Sequence, residues 1–182
     1  MIRLFVALKI PNDVLSKLLE ECYIAAEKPL RFKWETKNKI HLTLKFLGEV
    51  EDEYLVQILS ELDFLTNYSS FNCSISRFGF FFKNQLPKIL WADVNSDHSF
   101  VQIVDELNER FEKFGIEKER RKFRAHLTLL RIKKDVSEKF IQRIKSHQFN
   151  ELRFIASKVS LIQSELSKQG ATYTDLKTYE LK

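Results

Sequence analysis

Residues 39–48 read KIHLTLKFLG, and residues 124–131 read RAHLTLLR. The chain has four histidines, and two of them, His41 and His126, open the same tetrapeptide, HLTL. Apolar and polar residues alternate in both stretches, which is the period of a half-buried β-strand. Alternation puts His41 and Thr43 on one face and Leu42 and Leu44 on the other, with His126 and Thr128 opposite Leu127 and Leu129 in the same way.

Working outward from the first motif, residues 2–9 alternate as a strand. A helix follows over about 13–27, capped by Asn12 or Asp13, with Val14, Leu15, Leu18, Leu19 and Cys22 on its buried face and Pro29 as its stop. Gly48 turns the chain after the HLTL strand, and residues 51–65 have helical spacing. Residues 71–76 and 78–82 read as strands, with Gly79 as a bulge. A second series begins with the strand KILWADV at 88–94. Ser96 or Asp97 caps a helix running to about Phe114, with Val101, Val104, Leu107 and Phe111 buried, and Gly115 ends it. A basic loop leads into the second HLTL strand, then come a helix over 136–147 and two late strands, 152–165 and 171–181, about a turn at Gly170.

The two series share one order: strand, helix, HLTL strand, helix, strands. His41 lies 38 positions after Arg3, and His126 lies 37 after Ile89. Outside the HLTL segments the residues do not match, so the repeat is one of pattern. The predicted fold class is α+β: bilobed, duplicated about a pseudo-two-fold axis, with two mainly antiparallel sheets facing a central cleft and helices outside. Residues 1–182 form one domain, with pseudo-repeats at about 1–85 and 86–182.

Composition fits this reading. Of the 182 residues, 44% are apolar and 30% charged, a globular balance. No apolar run reaches the roughly 20 residues of a membrane helix. MIRLFVALKIP at the start lacks the cleavage site of a signal peptide, and a cytoplasmic location is expected. Cys22 and Cys73 form no CxxC pair, so they are read as reduced thiols rather than zinc ligands. The net charge of +5 is compatible with a phosphate-bearing partner.

If the two histidine faces meet, the cleft holds two imidazoles and two hydroxyls. One imidazole can accept a proton while the other donates one, and hydroxyls can bond phosphate oxygens without adding charge. Deprotonating a water while protonating a leaving oxygen on the opposite side is what in-line cleavage of a phosphodiester needs. No metal and no cofactor are called for.

Paired His-x-Thr-x motifs, one per half, resemble the 2H phosphoesterase superfamily. RLFVALKIP, KIHLTLKFLGEV, PKILWADV, RAHLTLLR and VSLIQSELSKQGATYTDL together resemble its RNA 2′,3′-cyclic phosphodiesterases, also known as 2′-5′ RNA ligases, over nearly the whole chain. The resemblance implies metal-independent hydrolysis of a 2′,3′-cyclic phosphate at an RNA end, tRNA fragments included, to a 2′-phosphate, with weak reversible 2′-5′ ligation. It implies His41 as proton donor to the departing 3′ oxygen and His126 as proton acceptor from water. Thr43 and Thr128 would hold phosphate oxygens, and Arg131 would neutralise phosphate charge. Strand parity puts Arg131 opposite His126, so that role requires a bulge or strand end near Leu130. Ala125 stands where the family usually has proline.

Lys45 shares the face of His41 by simple parity and is expected at the phosphate. Phe46, Trp34, Phe80 and Trp91 are candidates to stack a base, and Phe46 is taken as the substrate-binding one. Lys118, Arg120, Arg121, Lys122 and Arg124 crowd the approach to His126. His98 and His147 read as capping or surface residues. The protein is expected to act as a monomer without membrane contact. Alternatives are a phosphodiesterase for another cyclic or 2′-5′ nucleotide, or an RNA-binding module without catalysis. Neither a GxxxxGK[ST] loop nor HExxH is present.

Overall fold

The structure, a computed structural model, describes residues 1–96, 99–168 and 170–182. Asp97 as a helix cap and His98 as a capping or surface residue fall outside them. In chain order the elements are β1 (Ile2–Leu8), α1 (Asn12–Ala26), β2 (Leu42–Val50), α2 (Leu55–Glu61), β3 (Phe71–Ile75), β4 (Phe78–Lys83), β5 (Leu86–Asp93), β6 (Asn95–Ser96), α3 (Ser99–Phe111), β7 (His126–Arg131), α4 (Glu138–Ser146), β8 (Leu152–Ala156), β9 (Lys158–Ser167) and β10 (Gly170–Glu180). All strand pairs are antiparallel.

One sheet has the order β10-β9-β1-β2. The other strands form β8-β3-β6 and β4-β5-β7. These two ladders are successive parts of one bent layer, because β3 runs into β4 and β5 into β6. Asp93 pins the bend. Its buried carboxylate accepts from Ser76 N (3.0 Å), Arg77 N (3.1 Å), Arg77 Nε (3.1 Å) and Asn95 Nδ2 (3.0 Å), enough donors to offset the cost of burying its charge.

The sheets do not divide at residue 85. The first takes β9 and β10 from the end of the chain, and the second takes β3 and β4 from its first half. The stretch read as one strand at 152–165 is accordingly two, broken at Ser157, with β8 in the second layer and β9 in the first. β2 and β7, the two HLTL strands, are end strands of their layers and lie next to each other.

In β1, Leu4, Val6 and Leu8 face the main core with the buried stripe of α1, whereas Phe5 and Ala7 face the opposite way with Ile162 and Tyr173. Helix α1 opens without a side-chain cap. Pro11 occupies the capping position and its carbonyl accepts from Leu15 N at 3.0 Å, so Asn12 is already helical and neither Asn12 nor Asp13 caps. The 51–65 segment is α2 flanked by 3₁₀ turns. In α3 the buried stripe runs Phe100, Ile103, Val104, Leu107 and Phe111, and Val101, off that stripe, is 55% exposed. Gly115 ends the helix in the left-handed region at φ 73°.

Gly79 is not a bulge; the β4–β5 irregularity falls between Phe81 and Phe82. Gly79 is opposite Trp91, and a Cβ there would lie 2.3 Å from the indole Cζ2. Its role is to leave room for that ring. Gly79→Ala should therefore cost about 1–3 kcal/mol by overpacking, read as a lower urea midpoint with an unchanged m-value.

Candidate functional site

Each HLTL strand carries an extra residue at the same motif position, and β2 carries a second one at Leu47, between Phe46 and Gly48. In β2, Thr43 pairs with Ala7 and Lys45 with Val6, leaving Leu44 unmatched. In β7, Thr128 pairs with Trp91 and Leu130 with Leu90, leaving Leu129 unmatched. A bulge turns two successive side chains to one side and reverses the parity beyond it. Leu44 and Lys45 both face the core, as do Leu129 and Leu130, and all four are buried. The residue five positions after each histidine returns to the histidine's face: Phe46, paired with Phe5, and Arg131, paired with Ile89.

The bulge needed for Arg131 is thus present. It also corrects the expectation for Lys45, which is only 5% exposed. Its ammonium donates to Asn108 Oδ1 at 2.7 Å and to the Glu117 carbonyl at 3.1 Å. Asn108 Oδ1 in turn accepts from Glu119 N at 3.3 Å. Lys45 ties β2 to α3 and to the loop before β7, and it does not line the cleft. Phe46 is 66% exposed beside Phe5, with centroids 5.9 Å apart. Phe80 and Trp91 are buried and cannot stack a base.

His41 stacks on Phe5 (4.8 Å between centroids) and meets the edge of Tyr173 at 5.2 Å. Burial between these rings pushes its imidazole from the ordinary 6.5 down to about 4, and the charges of Lys9 and Arg131 add to this. The Lys39 backbone and Asp175 oppose it. His126 meets Phe81 edge-on at 4.9 Å, and Arg124 lies over the rings of Phe81 and Trp91. Burial first, then the charges of Arg124 and Arg131, hold the His126 imidazole below 6.5 against the Arg124 backbone. His126 Nδ1 lies 2.7 Å from the Arg124 carbonyl, so in the neutral ring Nδ1 donates and Nε2 keeps its lone pair.

Each histidine therefore leans on the backbone two residues before it, and the charge of Arg131 reaches both rings. Among the described residues no partner engages the half-buried hydroxyl of Thr43 or Thr128. Arg131 Nε lies 3.3 Å from Glu35 Oε1, which leaves its two terminal nitrogens for another anion. Glu35 is fixed in turn, since its N donates to the Leu129 carbonyl at 2.9 Å.

Phe5, Tyr173 and Glu35 join the site without a signal of their own in the sequence. Phe5 shows only as a strand residue, and Tyr173 and Glu35 carry no local motif, because strand pairing across the chain brings them in. His147 occupies the C-terminal cap position of α4, as expected, and is not part of this site. Its Nε2 lies 2.8 Å from Glu21 Oε2, linking α4 to α1. Cys22 and Cys73 are buried, and burial pushes the Cys22 thiol up. Among the described residues no group of three or more His, Cys, Asp or Glu side chains is placed to hold a metal ion.

The family described as LigT-like phosphoesterase matches residues 8–91 and 94–173, one segment around each HLTL motif. The chain is 29% identical to an RNA 2′,3′-cyclic phosphodiesterase of Archaeoglobus fulgidus over 98% of this chain and 99% of that one. It is 30% identical to one of Methanothermobacter thermautotrophicus over 82% of each. Among solved structures, TT0787 of Thermus thermophilus superimposes with a TM-score of 0.81 at 24% identity, covering 98% of this chain and 97% of that one. LigT of E. coli in its 3′-AMP complex superimposes with a TM-score of 0.80 at 22% identity, covering 99% and 98%.

The imidazole environments make a direct prediction. In the free protein, the ring-proton NMR shifts of His41 should titrate with a midpoint near 4, and those of His126 with a midpoint below 6.5. Because the folded protein binds fewer protons than the unfolded chain over this range, stability should fall as pH drops from about 6.5 toward 4. Inorganic phosphate in the cleft should raise both midpoints.

Proposed function

The chain belongs to the LigT-like phosphoesterase family, and on that premise we propose that it opens 2′,3′-cyclic phosphates at RNA ends, yielding 2′-phosphomonoesters, by acid–base catalysis between two histidines. The observation that carries this reading is the matched pair of bulged HLTL strands, which gives each imidazole a threonine on its own face and gives both the charge of Arg131. The naming of its relatives as RNA 2′,3′-cyclic phosphodiesterases supports the substrate.

His126, with Nε2 unprotonated, takes a proton from water as the water oxygen attacks phosphorus. His41 gives a proton to the 3′ oxygen as the P–O3′ bond breaks. The product has a free 3′ hydroxyl and a 2′-phosphate, and the two imidazoles have exchanged protonation states. Thr43 and Thr128 donate to the non-bridging oxygens, and Arg131 offsets their charge. Replacing water by the 5′ hydroxyl of a second RNA would give a 2′-5′ linkage by the same proton transfers.

The low imidazole values fit a cationic cleft. The field of Lys9, Arg124 and Arg131 that disfavours imidazolium also favours a phosphodiester anion. The anion, once bound, offsets that field and restores the proton that His41 must donate. No step in this scheme calls for a metal or a cofactor.

Product analysis on a defined oligonucleotide with a 2′,3′-cyclic end should show only the 2′-phosphate, with turnover undiminished in excess EDTA. A 3′-phosphate product, or an EDTA-sensitive rate restored by a divalent ion, would count against the scheme. His41→Ala and His126→Ala should each lower kcat by roughly 100- to 10,000-fold while the circular dichroism spectrum is retained. The kcat/KM profile, which reports the free protein, should peak on the acid side of pH 6.5. The kcat profile should lie at higher pH because the bound anion raises both imidazoles. Coincident profiles would argue against the anion-assisted protonation.

A further inference from the structure

Beside the histidine cleft lies a cavity of about 500 Å³, within the range of about 300–1,000 Å³ typical of small-ligand sites. Arg131 and Tyr173 belong to both. The cavity is therefore continuous with the place proposed for the cyclic phosphate, although neither histidine lines it.

Five further cations surround it: Arg31, Lys33, Lys39, Lys133 and Lys134. Among the described residues none of the five makes an ion pair, whereas many of the basic side chains elsewhere, such as Arg110, Arg143 and Lys177, are matched with carboxylates. The acidic residues of the lining are Glu35, engaged by Arg131, and Asp135. The walls between the cations are apolar, with Phe32, Trp34 and Ile132 among them. Trp34 is rigidly placed. Its Nε1 donates to the Pro29 carbonyl at 2.9 Å, its backbone bridges to Leu130, and Tyr23 and Phe32 brace its ring edge-on.

A fixed indole ringed by unpaired cations fits a ligand that is anionic at one end and flat and apolar at the other. Joined to the phosphate site, that describes a nucleotide. We propose that this cavity receives the penultimate nucleotide of the RNA, with its phosphate among the lysines of the rim and its base against Trp34. The inference rests on the reading of the cleft as a cyclic-phosphate site. A cyclic phosphate marks a 3′ terminus, so the rest of the strand leaves in the 5′ direction, and the first group it must place is the next nucleotide. Base–aromatic stacking is sequence-tolerant, so the site would favour length over sequence.

The test compares a nucleoside 2′,3′-cyclic monophosphate with the dinucleotide bearing the same cyclic end. Wild type should hydrolyse the dinucleotide with a kcat/KM about 10-fold or more higher, from the base–aromatic stack and the lysine–phosphate contact together, and chiefly through KM. Its log–log salt slope should be steeper by about 0.7, as for one added phosphate contact on a single strand. The exposed pair Lys133→Ala/Lys134→Ala should reduce the dinucleotide advantage to about 3-fold or less and flatten the added slope, with mononucleotide hydrolysis unchanged. An absent dinucleotide advantage, or one untouched by the double variant, overturns the proposal while leaving the reaction in place. Equal loss on both substrates overturns it too, because the cavity would then hold the terminal nucleoside. If wild type hydrolyses neither substrate, the proposed reaction itself fails and takes this inference with it.

Discussion

Strand parity, reversed just after Thr43 in β2 and just after Thr128 in β7, governs which side chains reach the cleft. In a regular strand His41, Thr43 and Lys45 would stand together, and Arg131 would point away from His126. The unmatched leucine that follows the threonine, Leu44 in β2 and Leu129 in β7, changes both outcomes. Leu44 and Leu129 go into the core with their neighbours, which anchors the bulges by burial and fixes where parity breaks. The two strands then deliver different residues to equivalent places, an aromatic ring in one and a guanidinium in the other. The cleft is symmetric in its imidazoles and hydroxyls and asymmetric in what stands beside them. A reaction with distinct attacking and leaving sides can use that difference.

The electrostatics follow from the same placement. Arg131 returns to the histidine face and raises the cost of charging either ring, on top of the burial imposed by Phe5, Tyr173 and Phe81. Lys45, removed from that face, does not add to this field and holds the loop before β7 from behind. A lysine in the cleft would have favoured anions with a mobile point charge. The planar guanidinium, held at Nε by Glu35, offers its donors in a fixed direction instead.

The sequence made the histidine pair legible because each motif is local: four residues, one period, two faces. The same holds for the helices, whose buried stripes repeat within a dozen residues. What escaped was set by pairing between distant segments. Nothing near Lys45 announces a bulge, because the register of β2 is chosen by β1. Gly79 looks like a bulge until Trp91 is placed opposite it. The 152–165 stretch reads as strand on both sides of Ser157, yet its two parts join different layers. Tyr173 and Glu35 reach the cleft only through ladders formed with β9 and β7. Val101 failed for a simpler reason, since the stripe through Phe100 and Val104 leaves it on the outer side of α3.

The exchange of strands between layers has a mechanical side. The chain passes from the first layer to the second through residues 51–70, where Ile58, Leu62 and Leu65 are embedded in the core. It returns through Ser157 alone, and the Ser157 carbonyl is held by Leu181 N at 2.8 Å. The two layers are thus tied by one clamped residue on one side and a packed segment on the other, so any change in their spacing must act on the Leu181–Ser157 hydrogen bond and on the core around Ile58, Leu62 and Leu65.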